Sequence, residues 1–322
     1  MSFVRSGIRR IRDHLHGQSV HRHRSNLPLR QAQVYTRYHE FAREEAPVDL
    51  NVLPERAREP AKKFRDQAVV TFPMPESEEL ATSILTKLRA REAGGADIWD
   101  LESSLYRGEN GYSEYPEFEQ MFHGLLGDVL RGAFGCEFKL HHFRIRKSVR
   151  LRDFARGSEL WHSDTGPGTC INIVVGLTEL SESNGATEVL PWAPTEDLLL
   201  SGRPIVRKRI EDAQKRRQVG REELREIKCR YYDERVESDY ADQVVRAEGP
   251  PGSVLLWNTN SMHRGGFPNI GKERVVMLCH AYPSHRPTHW DRYRTEGCSK
   301  SAWPNISGRG TQPFPSDPAE DF

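Results

Sequence analysis

The chain has 322 residues, of which 36% are hydrophobic and 29% charged, with a formal net charge of +1 at pH 7. That is enough apolar material for one large domain or two small ones, and the charge balance gives no sign of a nucleic-acid partner. No run approaches the roughly 18 apolar residues of a transmembrane helix, and the first residues lack the apolar core of a secretory signal. Five cysteines without a CxxC pair indicate neither a disulfide framework nor a zinc ribbon, so a reduced, cytoplasmic protein is expected.

Residues 1–30 carry seven Arg against one Asp. Phe3, Val4, Ile8, Ile11 and Leu15 recur there at helical spacing opposite the Arg-rich face. Such a helix packs on its own domain, lies peripherally on an anionic membrane, or serves as a targeting peptide. A polar stretch runs on to about residue 64, so 1–64 reads as a basic and polar extension. "AVVTFPMP" predicts a strand that ends at a Pro-bounded turn. "ESEELATSILTKLRA" predicts a helix with Leu80, Ile84, Leu85 and Leu88 on one face, and "PEFEQMFHGLLGDVLRGAF" a second with Phe118, Phe122, Leu125, Leu126, Val129 and Leu130 in its stripe.

From residue 137 the period changes to two. "FKLHHFRIRKSVRL", "TCINIVVGLTEL", "GSVLLWN" and "ERVVMLCHAYP" read as strands bounded by Gly or Pro. Helices first and strands later predict an α+β fold, a sandwich or barrel buttressed by N-terminal helices. Residues 195–248 interrupt the strands with a densely charged segment. It has few apolar residues and is expected to form a solvated surface helix or a lid. The stretch from 286 to 322 reads as an extended tail.

"WHSDTGPG" opens the question of function. Two residues apart on an extended strand, His162 and Asp164 project the same way and can reach a common point. His289 and Asp291 repeat the spacing in "HWDRY", so the pair alone is a weak signal. A third ligand is offered by His263 in "SMHRGGFPN". Arg274 follows eleven residues later, and a short hairpin at "GGFPNIGK" would set the strands of His263 and Arg274 side by side.

In this order the elements resemble the phytanoyl-CoA dioxygenase-like family of Fe(II)/2-oxoglutarate oxygenases. "WHSD" supplies the HxD pair, "SESNGATEVLPW" an Asn-Gly turn leading into a strand that ends in Pro, and "MHRGGFPNIGKERVVM" the distal His and the Arg. The resemblance spans about residues 65–285. It implies a double-stranded β-helix, or jelly roll, with Fe(II) held by His162, Asp164 and His263, and it implies 2-oxoglutarate and O2 as cosubstrates. Two His and one carboxylate leave metal positions open, the arrangement that suits non-heme iron oxygenases. Arg274 would grip the distal carboxylate of 2-oxoglutarate as a bidentate pair.

His289 and Asp291 lack a downstream partner and are read as accidental. Asn172 shares a strand face with Cys170, Val174 and Gly176 and is a candidate contact to 2-oxoglutarate or substrate. His280 shares the face of Arg274, and His142, Arg144 and Arg146 share one face of the first strand; Arg144, Arg146 and His280 are candidate substrate contacts. The expected reaction is hydroxylation of a small, carrier-linked or lipid-linked substrate, anionic if the basic residues face inward. Asp164 speaks against halogenation, because relatives that halogenate carry a small residue in its place. Two other readings stand beside this one: a non-catalytic docking protein, and a cupin-like Zn or Mn enzyme that does not use 2-oxoglutarate.

Overall fold

The computed structural model describes residues 39–284, apart from 41, 102–103, 108–113, 165–169 and 217–218. The basic helix expected within 1–30, the tail after 286, and His289 and Asp291 lie outside the described residues.

Helix α1, Glu55–Gln67, occupies the stretch read as polar extension. Its mean hydropathy is low, yet Ala57, Ala61 and Phe64 fall on one face and are buried. Strand β1 (Val69–Phe72) follows, then α2 (Glu78–Ala93), whose Ala81, Ile84 and Leu88 are buried while Leu80 and Leu85 pack at the margin. Two short strands, β2 (Trp99–Asp100) and β3 (Leu105–Tyr106), precede a pair of helices.

One helix was expected over "PEFEQMFHGLLGDVLRGAF", and two are found: α3 (Glu117–His123) and α4 (Leu125–Phe134). The break is at Gly124, whose ψ of −138° leaves helical geometry. A glycine tolerates this backbone shape, and the bend lets both segments turn their apolar residues inward. Phe118, Phe122, Leu125, Leu126, Val129 and Leu130 are all buried, as the helical spacing indicated.

The long strand β4 (Glu137–Val149) then opens the β region, followed by β5 (Ile171–Gly176), β6 (Glu188–Val189), β7 (Val245–Arg246), β8 (Val254–Asn258), β9 (His263–Arg264) and β10 (Glu273–Ser284). A seven-stranded sheet runs β1-β8-β5-β10-β4-β3-β2, and a three-stranded sheet runs β7-β6-β9. The paired strands are antiparallel throughout both sheets. Helices α1 to α4 cover one face of the large sheet through the main apolar core, and the second face turns toward the small sheet. This is an α+β fold with a double-stranded β-helix core buttressed by helices.

One expected pairing does not occur. Strand β9 pairs with β6 in the small sheet, whereas β10 pairs with β4 and β5 in the large one. The "GGFPNIGK" segment is therefore a crossing between sheets and not a hairpin within one. Double-sheet folds route successive strands this way, so a neighbour in sequence becomes a facing wall.

The charged segment between β6 and β7 folds as two helices, α5 (Trp192–Arg216) and α6 (Arg221–Asp239). They are not fully solvated. Leu198, Leu199, Val206, Tyr231, Tyr232, Val236 and Tyr240 are buried in a separate cluster with Trp161, Leu190 and Met262. Tyr231, Tyr232 and Tyr240 carry part of this burial, which the charge-dominated composition concealed. Among the described residues, no helix is long and apolar enough to cross a membrane.

Candidate metal and cosubstrate site

His162 and His263 sit directly opposite each other across an antiparallel bridge between the "WHSD" segment and β9. The His162 N–H donates to the His263 carbonyl at 3.0 Å, and the His263 N–H donates back at 2.8 Å. Residues paired in this way project to the same side, so the two rings meet, with centroids 4.4 Å apart. Asp164, two residues beyond His162, completes the group. Its carboxylate oxygens lie 3.9 Å from His162 Nε2 and 3.5 Å from His263 Nε2. One donor atom from each of the three side chains falls within 4.8 Å of the others.

The backbone also determines which ring nitrogen faces the centre. His162 Nδ1 is 2.8 Å from the Leu160 carbonyl, and His263 Nδ1 is 2.9 Å from that of Ser261. A carbonyl can only accept, so each Nδ1 carries the proton and each Nε2 keeps a lone pair for a metal. Burial, reinforced by His263, pushes the His162 pKa down to about 4, so its ring is neutral at pH 7. Burial of Asp164 works against its ionisation. The contact with His263, with His162 and His280 nearby, outweighs that and holds the carboxyl well below its ordinary range. Two imidazoles and a carboxylate are a donor set suited to a divalent first-row metal such as Fe(II).

Arg274 enters from the facing sheet, at the start of β10. Its side chain is only 6% exposed, and its Nη1 donates to Gly185 O and, at 3.4 Å, to Thr187 Oγ1, while Nη2 donates to Ser148 Oγ at 3.2 Å. No carboxylate lies within ion-pair distance of it among the described residues. Burial, with Arg146 next, lowers its pKa to about 10, which still leaves it charged at pH 7. A buried cation held by neutral acceptors is a receptor for an anion.

The Asn184-Gly185 turn builds part of this receptor. Gly185 has φ +76°, and a Cβ there would lie 2.6 Å from Gly266 O. Gly185→Ala is expected to cost about 2 kcal/mol of stability through strain and crowding. It should also weaken 2-oxoglutarate binding, because the carbonyl that orients Arg274 moves. Urea unfolding together with ligand titration checks both, and a variant as stable as the parent would show that the turn yields freely.

A cavity of about 280 Å3 joins these groups. Its wall includes His162, Asp164 and His263 on one side and Arg274, Val276, Leu278 and His280 along β10 on the other. Asn172 and Val174 line it from β5, as their shared face indicated, whereas Cys170 does not. Asn172 is 1% exposed and accepts a weak hydrogen bond from Cys170 Sγ at 3.9 Å. Arg146 lines the cavity from β4, but Arg144, on the same strand face, is exposed and does not.

Trp257 and Arg225 were not singled out in the sequence. Trp257 lines the cavity with its ring 5.3 Å from that of His263. Its position in "VLLWN" looked like core, and only the folded sheet shows which of its neighbours is a histidine. Arg225 reaches the cavity from α6, and no local signal distinguished it from the other charges of that helix.

The inserted helices are tied to the backs of the histidine-bearing segments. Trp161 and Met262, each immediately before a cavity histidine, are buried beneath α5 and α6. Arg264, immediately after His263, donates to Asp233 at 3.2 Å and Glu237 at 3.4 Å on α6, and to the buried Glu188 at 2.5 Å. Its guanidinium stacks 5.1 Å from the Trp161 ring, and the main-chain N–H of Trp161 donates to Asp233 at 3.4 Å. Asp233→Asn keeps the acceptor for Trp161 but loses the charge that faces Arg264. Amide exchange in α6 should then quicken several-fold without global unfolding, and exchange identical to the parent would show that the helix does not depend on this contact.

Residues 152–274 match the family model of phytanoyl-CoA dioxygenase (PhyH). That match covers part of the chain and agrees with the resemblance of its motifs to the phytanoyl-CoA dioxygenase-like oxygenases, and the His-Asp-His group could hold a metal such as iron. The matched family is one of dioxygenase enzymes. Solved structures similar to it include the 2-oxoglutarate-bound EctD of S. alaskensis, at 18% identity and a TM-score of 0.45, over 76% of this chain and 88% of that one. The carbocyclase SnoK from nogalamycin biosynthesis is 16% identical, with a TM-score of 0.45 over 76% and 91% of the two chains. The epimerase SnoN, in complex with Fe3+, alpha ketoglutarate and nogalamycin RO, is 12% identical, with a TM-score of 0.46 over 80% and 93%. No curated protein matches the chain in sequence.

Proposed function

We propose that the protein hydroxylates an unactivated C–H bond of a small molecule, or of the reactive end of a carrier- or lipid-linked one, with His162, Asp164 and His263 as the iron ligands. The observation that carries this reading is the pairing of a His-Asp-His group with a buried arginine across one cavity. Iron bound here supplies the chemistry in which 2-oxoglutarate and O2 give succinate and CO2 while one oxygen atom enters the substrate. The chain's own residues arrange the partners. Arg274 takes the distal carboxylate of 2-oxoglutarate, and Thr187 and Ser148 aim its guanidinium. Asn172 offers its amide to the cosubstrate or the substrate, and Trp257 sets an aromatic wall beside His263.

A cavity of about 280 Å3 suits a small substrate. Arg146 and His280 on its wall favour one that carries negative charge. With a carboxylate at position 164 there is no open place for halide, so hydroxylation is preferred to halogenation.

The test is an anaerobic visible spectrum of the full chain with Fe(II), before and after adding 2-oxoglutarate. A weak charge-transfer band that requires both components and is absent in His162→Ala is the expected result. Bound Fe(II) with no such band would overturn the cosubstrate assignment and bring forward a cupin-like metal enzyme.

A further inference from the structure

The inserted helix α6 contributes to the cavity, and its position is defined from outside. Arg225 lies in its second turn and lines the same cavity as His162 and Asp164. Eight residues further on, about 12 Å along the axis, Asp233 holds Arg264 and the Trp161 N–H on the back of the histidine-bearing segments. One rigid helix therefore spans the distance from the clamp to the cavity, and the clamp fixes where Arg225 stands. Its positive field is felt at His162 and contributes to the lowering of that ring's pKa.

Arg225 and Arg274 face different tasks. Arg274 is buried at the far end, on the large sheet, where the cosubstrate carboxylate is proposed to sit. Arg225 is exposed while it lines the same cavity, so it stands where the cavity meets solvent. Among the described residues no ion pair engages Arg225, and its polar contact within the helix is Cys229, one turn on. A guanidinium at an entrance, without a carboxylate partner, attracts and orients anions.

We propose that Arg225 is a specificity-determining residue that receives a carboxylate or phosphate group of the substrate while 2-oxoglutarate occupies Arg274. This rests on the reading of the cavity as an iron and 2-oxoglutarate site, and it assigns the charged insertion a role in substrate choice. The insertion then acts as a fixed wall that carries a recognition group. Its clamp to the segments of His162 and His263 keeps that group in register with the reacting centre.

Methylphosphonate is a suitable probe, a compact dianion whose 31P relaxation is enhanced near a paramagnetic metal. It would be titrated without oxygen into the full chain loaded with Fe(II) and 2-oxoglutarate, with its neutral dimethyl ester as control. The dianion should show saturable enhancement and the ester none. Arg225→Gln should raise the half-saturating concentration about tenfold, Arg225→Lys should restore most of the affinity, and 2-oxoglutarate binding should be unchanged in both. Superposable titrations of the parent and Arg225→Gln, or equal enhancement of the ester, would overturn the proposal. The parent's charge-transfer band is recorded in the same samples. Loss of the cosubstrate reading appears there as a missing band in the parent, whereas loss of the Arg225 role appears as unchanged titrations beneath a normal band.

Discussion

His263→Ala is expected to abolish tight Fe(II) binding, lowering affinity by well over a hundredfold, and to remove every 2-oxoglutarate-dependent signal. Partners that merely orient a metal ligand are worth roughly 10- to 100-fold in affinity, and loss of a ligand should exceed that. His263 is 6% exposed, with its Nδ1 proton committed to Ser261 O, so no neighbouring rotation replaces its Nε2. The main-chain bridge to His162 is independent of the side chain and should hold His162 and Asp164 in place. Equilibrium dialysis with Fe(II), beside a melting curve to confirm folding, reads the effect. Full iron occupancy in a folded variant would remove His263 from the ligand set.

Arg274→Ala separates the cosubstrate from the metal. A charge-assisted, bidentate bond contributes roughly 1.5 to 3 kcal/mol, which corresponds to about a ten- to hundredfold loss of 2-oxoglutarate affinity with Fe(II) retained. Arg274→Lys should recover only part of this, because an ammonium cannot reproduce the two-pronged contact or the simultaneous bonds to Thr187 and Ser148. Competition from the alternative effect, relief of a costly buried charge, acts on stability and not on binding. The alanine variant is therefore expected to be as stable as the parent while binding poorly, and titration of the charge-transfer band measures the binding alone. An unchanged affinity would place the cosubstrate carboxylate elsewhere.

Much of the site was legible because its parts lie in short motifs. His162 and Asp164 share an extended segment, and His263 precedes a Gly-Gly pair that ends a short strand. Along β10, the alternation that put Arg274 and His280 on one face places both in the cavity wall, with Val276 and Leu278 between them. The same counting failed for Arg144. Alternation reports which face a residue shares and says nothing about which side chains of that face reach the cavity. For β9 and β10, proximity in sequence suggested a hairpin, and the chain instead crosses between sheets.

What the sequence by itself determined is the set of amphipathic elements, the α+β order, and a His-Asp-His-Arg series whose spacing pointed to one chemistry. These depend on periodicity and on motifs within about a dozen residues, which local side-chain geometry dictates. Tertiary structure decided the facing of the two sheets, the break at Gly124, the backbone carbonyls that turn each Nε2 inward, and the arrival of Trp257 and Arg225 at the cavity. Such contacts join residues far apart in the chain, as Arg225 is from His162. Their free energy comes from burial and pairing in the assembled fold, so no local pattern of charges could distinguish Arg225 from the solvated arginines beside it.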